Sequence, residues 1–331
     1  MLKAKGISKV HALSGLAKKK LSGSKAKVII IGSSGWLGMA TLELLKQVVD
    51  DLENSVFCFG SKERTLNLFE GTKIVQSPLS ELSSFPKKGA DYLLNFAFLT
   101  KEKAEILSKD KFREVNSNIS ETVSKEASRI GVKNVCTISS GGVYFKDSLL
   151  VDNFESSPYG FLKLQEEEMF SKLAEEGAKV VIPRVFNISG PYSNKDNLYM
   201  LPSLISQALS SRSIQIFSEK QIYRSYVGIS DLVSTIFGCM SLMEPGNSVI
   251  YDTCGISKVE IGELAEIIKD LLNENAEVIR PDVNKSTESD SYIGSRTKIK
   301  SLINESEIQE SSLEDQILCT AEYLKASLNS K

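Results

Sequence analysis

The sequence predicts an α/β protein: a doubly wound, mainly parallel sheet with a smaller α/β lobe toward its C-terminal end. Three observations carry this. Strand-length apolar runs alternate with amphipathic helical stretches from residue 28 to residue 183. The first run, Val28-Ile29-Ile30-Ile31, is β-branched throughout, as suits a strand buried on both faces. It passes through Gly32-Ser-Ser34-Gly35-Trp36-Leu37-Gly38 directly into a helical pattern with Leu42, Leu44 and Leu45.

Strand, glycine turn and helix in that order expose backbone N–H groups and a helix N-terminus to one point, a geometry that suits a pyrophosphate. Gly32, Ser34, Gly35, Trp36, Leu37 and Gly38 are therefore expected to hold a dinucleotide. The alternative is a glycine-rich turn with no function.

Ser55–Phe59 reads as a second strand, Lys73–Val75 as a short third, Asp91–Phe96 as a fourth and Asn134–Ser139 as a fifth. Asp110–Ile130 has helical spacing, with Phe112, Val115, Ile119, Val123 and Ala127 on one face. Tyr159–Leu173 is another helix, followed by a strand at Lys179–Pro183. Such alternation implies right-handed crossovers between parallel strands. Beyond Arg184 the rhythm loosens. A helix near Leu201–Leu209 and a strand around Ile214–Phe217 come first. A helix opened by Ser230 or Asp231 and a strand at Val249–Asp252 follow, then amphipathic helices at Ile261–Leu272 and Leu313–Leu324. Asp282–Ser291 is poor in apolar residues and reads as a loop.

A chain of 331 residues accommodates one large domain or two moderate ones. Its 41% hydrophobic and 25% charged residues are those of an ordinary globular protein. No apolar run approaches the roughly 20 residues of a membrane span, and the N-terminal region lacks the apolar core of a secretory signal. Cys58, Cys136, Cys239, Cys254 and Cys319 have no paired spacing, which argues against a disulfide framework or a zinc site and fits a reducing cytoplasm. His11 is the single histidine, so neither a Ser-His-Asp relay nor a multi-histidine metal site can be built. Acid–base chemistry must fall to Tyr, Lys, Asp, Glu or Cys.

Charge is unevenly placed. Residues 1–27 carry eight lysines and no acid, leaving 32 basic against 42 acidic residues, about −10, in the remainder. An acidic body argues against a nucleic-acid surface outside the tail. Lys18-Lys19-Lys20 reads as part of a solvated or disordered end, the alternative being a contact with an anionic partner.

Ser139-Ser140-Gly141-Gly142 ends the fifth strand, and Tyr159-Gly-Phe-Leu-Lys163 opens the next helix. Tyr and Lys four apart share a helix face. An ammonium beside a phenol favours phenolate and is expected to pull the phenol down from about 10 toward working pH. That makes Tyr159 a proton donor or acceptor for a carbonyl or alcohol, with the Ser140 hydroxyl placing the reacting oxygen. After the second strand comes Gly60-Ser61-Lys62-Glu63-Arg64. An acid there would bind a ribose 2′-OH; Ser61, Lys62 and Arg64 instead suit a 2′-phosphate, so NADP is expected and NAD is the alternative.

With these motifs in order, the chain resembles the extended short-chain dehydrogenase/reductase family, above all its nucleotide-sugar epimerases, dehydratases and reductases, over roughly residues 27–328. The resemblance implies a Rossmann-like fold. It divides the chain into a basic extension (1–25), a dinucleotide-binding domain (26–186, returning around 229–253) and a mainly nucleotide-sugar-binding lobe (187–331). Phe96 and Ala97, in Leu94-Asn-Phe-Ala, stand where the family's fourth strand passes the cofactor. Asn116 matches its helix asparagine, and Ser140, Tyr159 and Lys163 its catalytic trio. Arg184-Val185-Phe186-Asn187-Ile-Ser-Gly-Pro191 looks like the segment that touches nicotinamide (Val185, Phe186) and then substrate (Asn187). Arg224 and Arg280 look like its nucleotide-diphosphate contacts.

The resemblance implies hydride transfer at a sugar carbon. Tyr159 would exchange the proton, Ser140 would bond the reacting oxygen, Lys163 would hold the nicotinamide ribose, and Asn116 would support a water or backbone link behind Lys163. Gly141 and Gly142 stand where the dehydratases carry an Asp-Glu pair, so dehydration is not expected. The expectation is an NADP-dependent reductase of a 4-keto nucleotide sugar. It is without metal, nucleic-acid or membrane partners, and forms a homodimer through the Asp110–Ile130 and Tyr159–Leu173 helices. The alternatives are an NAD-retaining nucleotide-sugar 4-epimerase and, from another class, a non-catalytic dinucleotide-sensing or RNA-associated module.

Overall fold

Val28 and Ile30 point to one side of the central sheet and Ile29 and Ile31 to the other, all four fully buried. This double burial is why the strand has no polar residue. The computed structural model describes residues 11–23, 25–145, 149–194 and 198–328.

In chain order the elements begin with α1 (Gly15–Leu21), β1 (Val28–Ile31), α2 (Trp36–Lys46), α3 (Leu52–Ser55), β2 (Val56–Gly60), β3 (Arg64–Asn67), β4 (Lys73–Pro78) and β5 (Tyr92–Asn95). Next come α4 (Lys101–Ile106), α5 (Lys109–Ile130), β6 (Asn134–Thr137), β7 (Ser139–Ser140), α6 (Pro158–Ser171), β8 (Lys179–Val185) and β9 (Ile188–Ser189). The C-terminal part holds α7 (Met200–Ser210), β10 (Ser213–Gln215), β11 (Ile222–Arg224), β12 (Val227–Gly228), α8 (Ile229–Leu242), β13 (Ser248–Asp252), β14 (Val259–Glu260) and α9 (Ile261–Leu272). It ends with β15 (Glu277–Ile279), β16 (Asp290–Tyr292), α10 (Arg296–Glu305) and α11 (Leu313–Leu328).

The main sheet runs β13-β8-β6-β5-β1-β2-β4-β3, with β7 also beside β8. Every pairing in it is parallel except β3 with β4. Strand order reverses at β1, whose neighbours are β5 and β2, and a ligand crevice opens at the carboxyl ends of such strands. On one face α2, α8 and α10 cover the sheet; on the other α5 and α6 do. A separate core of Leu204, Ile205, Ile214, Leu264, Ile268 and Ile317 supports the C-terminal lobe, which carries three small sheets: β10-β15, β14-β11-β16 and β12-β9. Among the described residues no helix is long and apolar enough to cross a membrane.

The structure corrects several expectations. The N-terminal segment from His11 onward is not a solvated or disordered end; the first ten residues lie outside the described ones. Leu13, Ala17 and Leu21 enter the main core, Ser14 N donates to Ser234 Oγ at 3.1 Å, and the His11 ring bonds Ala40 O at 2.9 Å. Only Lys18, Lys19 and Lys20 on the outer face of α1 are solvated, with Lys19 paired to Glu307. The apolar residues at 13, 17 and 21 repeat every four positions, a helical stripe that the lysines obscure. The third strand runs on to Pro78 because Gln76, Ser77 and Pro78 pair in parallel with β2, and on its other edge β3 pairs with Lys73–Gln76 and takes Arg64 out of the loop. The loop at Asp282–Ser291 ends early, since Asp290–Tyr292 pairs with β11 despite its polar composition. Helix α10 has a weak sequence signal, since Ile299 and Ile303, with Leu302 partly buried beside them, are what anchor it in the core.

Candidate active site

Gly32 ends β1 with φ +78°, and a Cβ there would lie 2.8 Å from Ala97 N and 2.9 Å from the Phe96 carbonyl carbon. Glycine is therefore what lets the ends of β1 and β5 close together. A Cβ on Gly38 would sit 2.6 Å from Gly32 O, so the helix start packs directly on the turn. Gly35 caps α2 and donates to Gly32 O at 3.0 Å. The Ser34 N–H is already used, donating to Gln76 Oε1 at 3.1 Å. That buried glutamine also accepts from Ser33 Oγ at 2.9 Å and donates to Lys62 O at 2.7 Å, knitting the turn to the loop after β2. Trp36 bonds Pro191 O at 2.8 Å and stands against Tyr199, while Leu37 packs on the main core.

Ser61 and Lys62 are exposed; Arg64 is half-buried, and its Nε has no partner among the described residues. Glu63, also exposed, stands between the two cations, so the strand end carries a hydroxyl, two cations and one acid.

Ser140 ends β7, and its Oγ accepts from Gly142 N at 3.0 Å; the Tyr159 ring stands against Gly142 and the Tyr292 hydroxyl against Gly141, and the Ser140 hydroxyl favours the ionised form of both phenols. Val185 pairs with Ser140 across the β7–β8 ladder. Phe186 stacks between Tyr144 and Tyr292, with centroids 6.1 and 4.8 Å away. Asn187 donates to Tyr292 O at 3.0 Å and Ser225 O at 3.3 Å, so its amide braces the lobe against the sheet. Tyr292, which no sequence signal marks because it lies in a polar stretch, brings the second lobe to the end of β7.

Pro158 opens α6, so Tyr159 and Lys163 stand on its first turns facing the end of β7. The Tyr159 ring lies edge-on to Phe98 at 5.7 Å. Lys163 is buried; its Nζ donates to Ile138 O at 2.7 Å and Glu166 Oε2 at 2.6 Å and lies 3.7 Å from the Phe98 centroid. Asn116 Oδ1 accepts from Leu99 N at 2.7 Å, a backbone link behind the lysine, while its buried Nδ2 has no partner among the described residues.

The expected electrostatics at Tyr159 are reversed. Burial pushes the phenol up to about 12; the nearby Ser140 hydroxyl opposes this, and the Glu166 and Glu102 carboxylates add to it. Burial also lowers Lys163, against the pull of Glu166 and Glu167. The ammonium does not pull the phenol toward working pH because a carboxylate neutralises it at contact distance.

The two distal arginines do not stand free. Arg224 forms a two-pronged pair with Asp290 at 3.0 and 3.1 Å and lies 6.0 Å from the Tyr292 ring. Arg280 grips Glu260 at 2.8 and 2.9 Å and also donates to Ser218 O and Lys220 O, which makes it a staple of the lobe. Ser140, Tyr159, Lys163, Phe186 and Tyr292 thus converge; Arg224 lies at their edge, and Arg280 lies beyond it.

A glycine turn at the switch point, with hydroxyl, phenol and ammonium on the neighbouring β7–α6 unit, defines an enzyme of the extended short-chain dehydrogenase/reductase class. The chain belongs to the NAD dependent epimerase/dehydratase family, whose model matches residues 28–249. Over 150 residues it is 27% identical to UDP-glucuronic acid decarboxylase 5 of Arabidopsis thaliana, covering 42% of each chain. The chain thus spans about two-fifths of the length of the curated relatives it first matches. The Bordetella bronchiseptica enzyme WbmF in complex with NADH superposes with a TM-score of 0.75 at 18% identity, covering 94% of both chains. The UDP-glucose 4-epimerase of Thermotoga maritima with UDP-glucose gives 0.69 at 18% identity, covering 91% of this chain and 99% of that one. At such identities the superpositions establish the fold.

Proposed function

We propose that the protein reduces a 4-keto group on a nucleotide-activated sugar, with NADPH as hydride donor and Tyr159 as proton donor. The observation that carries this is the phenol itself. A phenol keeps its proton at neutral pH unless a cation draws it off, and the Lys163 ammonium that could do so is paired with Glu166 at 2.6 Å, so Tyr159 has a proton to give. Reducing a ketone needs that donor; removing a proton from a sugar hydroxyl, the opening move of an epimerase, needs phenolate.

The site fits a dinucleotide, since Gly32 and Gly38 let β1, β5 and the start of α2 close into a tight turn at the switch point, and Gly35 opens the helix there with no side chain over its N-terminus. When bound, the dinucleotide supplies the hydride. Lys163 spends two of its three N–H donors inside the fold and keeps one for a ribose hydroxyl. Ser140 holds the reacting oxygen against Tyr159, and Phe96, Ala97, Val185 and Phe186 form the wall. Ser61, Lys62 and Arg64 supply the preference for a 2′-phosphate. Arg224 and Asn187 edge the sugar nucleotide's side, and residues 187–331 provide most of that half. The outer faces of α5 and α6 would join two copies in a homodimer.

A second reading, an NAD-retaining 4-epimerase of a nucleotide sugar, is supported by the description of the family whose model matches. A panel of 4-keto and 4-hydroxy nucleotide sugars, scored for NADPH consumption and for epimer formation, decides between them. Stoichiometric NADPH oxidation with a 4-keto sugar is expected, falling about a hundred- to ten-thousandfold in Tyr159→Phe. Epimer formation without net NADPH loss would favour the second reading, and dinucleotide binding without turnover would leave a non-catalytic module.

A further inference from the structure

Glu166 is a buried acid that the chemistry above does not use. It follows Lys163 by three residues on α6, so the two side chains share a helix face, and it is 1% exposed. Its Oε2 accepts from Lys163 at 2.6 Å; its Oε1 accepts from Asn95 Nδ2 at 3.1 Å and Ser120 Oγ at 3.0 Å. The donors come from β5, α5 and α6, so the carboxylate is fixed from three directions. Behind it a cavity of about 310 Å³ between α5 and α6 is lined by Asn116, Ser120 and Glu166.

A solitary ammonium at Lys163 would stabilise phenolate at Tyr159. With a carboxylate in contact, the pair presents a dipole, and its field at a third group falls away faster than that of either charge. The other titratable groups do not restore a positive field: Glu102, Tyr199 and Tyr292 face Tyr159, Glu167 faces Lys163 and Cys136 faces Glu166.

We propose that Glu166 is a positioning residue that neutralises Lys163 and so keeps the Tyr159 hydroxyl protonated, setting the site to give a proton rather than take one. This rests on the reading of Tyr159 as the acid, and the test separates the two. A fluorinated tyrosine installed at position 159, whose more acidic phenol titrates while the protein is folded, is followed by ¹⁹F NMR without substrate. Glu166→Gln is expected to lower its midpoint by about one pH unit or more. The double variant Lys163→Met/Glu166→Leu, which replaces a buried pair by apolar residues that such sites often tolerate, is expected to leave the midpoint within about half a unit. An unmoved midpoint in Glu166→Gln overturns the proposal. So does a rise of about a unit in the double variant, the signature of losing an unneutralised ammonium. Should Glu166→Gln not fold, the double variant decides alone. If the midpoints move as expected while no 4-keto sugar is reduced, the role of Glu166 stands and the reductase reading falls.

Discussion

The indole of Trp36 donates to the carbonyl of Pro191 at 2.8 Å, joining the glycine turn to the start of the second lobe across 155 residues of sequence. The bond is buried, and the ring also stands 5.3 Å from Tyr199. Trp36 thus holds the glycine turn against the start of the second lobe.

Trp36→Phe keeps an aromatic ring against Tyr199 and removes the only donor. It leaves the Pro191 carbonyl unsatisfied, so a loss of about 1–3 kcal/mol is expected in chemical denaturation. Dinucleotide affinity, read by calorimetry, should weaken several-fold as the turn loosens. Unchanged stability and affinity together would show that the bond holds nothing.

The end of β2 and the start of β3 carry the test of cofactor choice. Lys62→Ala and Arg64→Ala should each weaken NADPH by about tenfold, as expected for losing one hydrogen bond to a charged phosphate, with little change for NADH. An equal loss for both dinucleotides would assign these residues to general attraction and remove the NADP preference.

The two arginines should part company. Arg280→Ala strips Glu260 of its cation and several hydrogen bonds, so the main effect should be a stability loss of roughly 1–3 kcal/mol. Arg224→Ala, at the edge of the site, should raise KM for the nucleotide sugar by about tenfold while the melting temperature moves less. A large KM effect at Arg280 with intact stability would restore it as a diphosphate contact.

His11 predicts a pH dependence. Burial lowers its imidazole from 6.5 to about 4, against the opposing pull of the Ala40 carbonyl and Glu43. The folded state therefore binds this proton less readily than the unfolded state. The contribution is fully present above pH 6.5 and is lost as pH falls toward 4. Its ceiling is about 3 kcal/mol. His11→Leu should flatten the stability profile over that interval relative to the parent protein. Asp231, raised to about 6 chiefly by burial, works in the opposite sense and cancels in the comparison. Parallel profiles would mean that the N-terminal segment undocks before His11 titrates.

The parts legible in the sequence are those that local rules dictate. The VIII run, the Gly32-Gly35-Gly38 spacing and the faces of Lys109–Ile130 and Ile261–Leu272 specify buried strand, tight turn and amphipathic helix from neighbours along the chain. Tyr159 and Lys163 could be paired because one helical turn separates them. Strand β3 and strand β16 leave no mark in the sequence because each is short and polar, made a strand by its partner rather than by its own residues. The docking of residues 11–21 escaped because a lysine run outweighed three apolar positions.

By itself, then, the sequence determined the parallel sheet, the glycine turn at its switch point and the hydroxyl–phenol–ammonium set beside it, since each depends on spacing along one or two elements. Only the tertiary structure decided the electrostatic setting of that set. Whether Lys163 faces Tyr159 as a lone cation or as half of a neutral pair depends on Glu166, held from β5, α5 and α6 at once. Coulombic interaction depends on distance and burial, and both come from elements brought together in space.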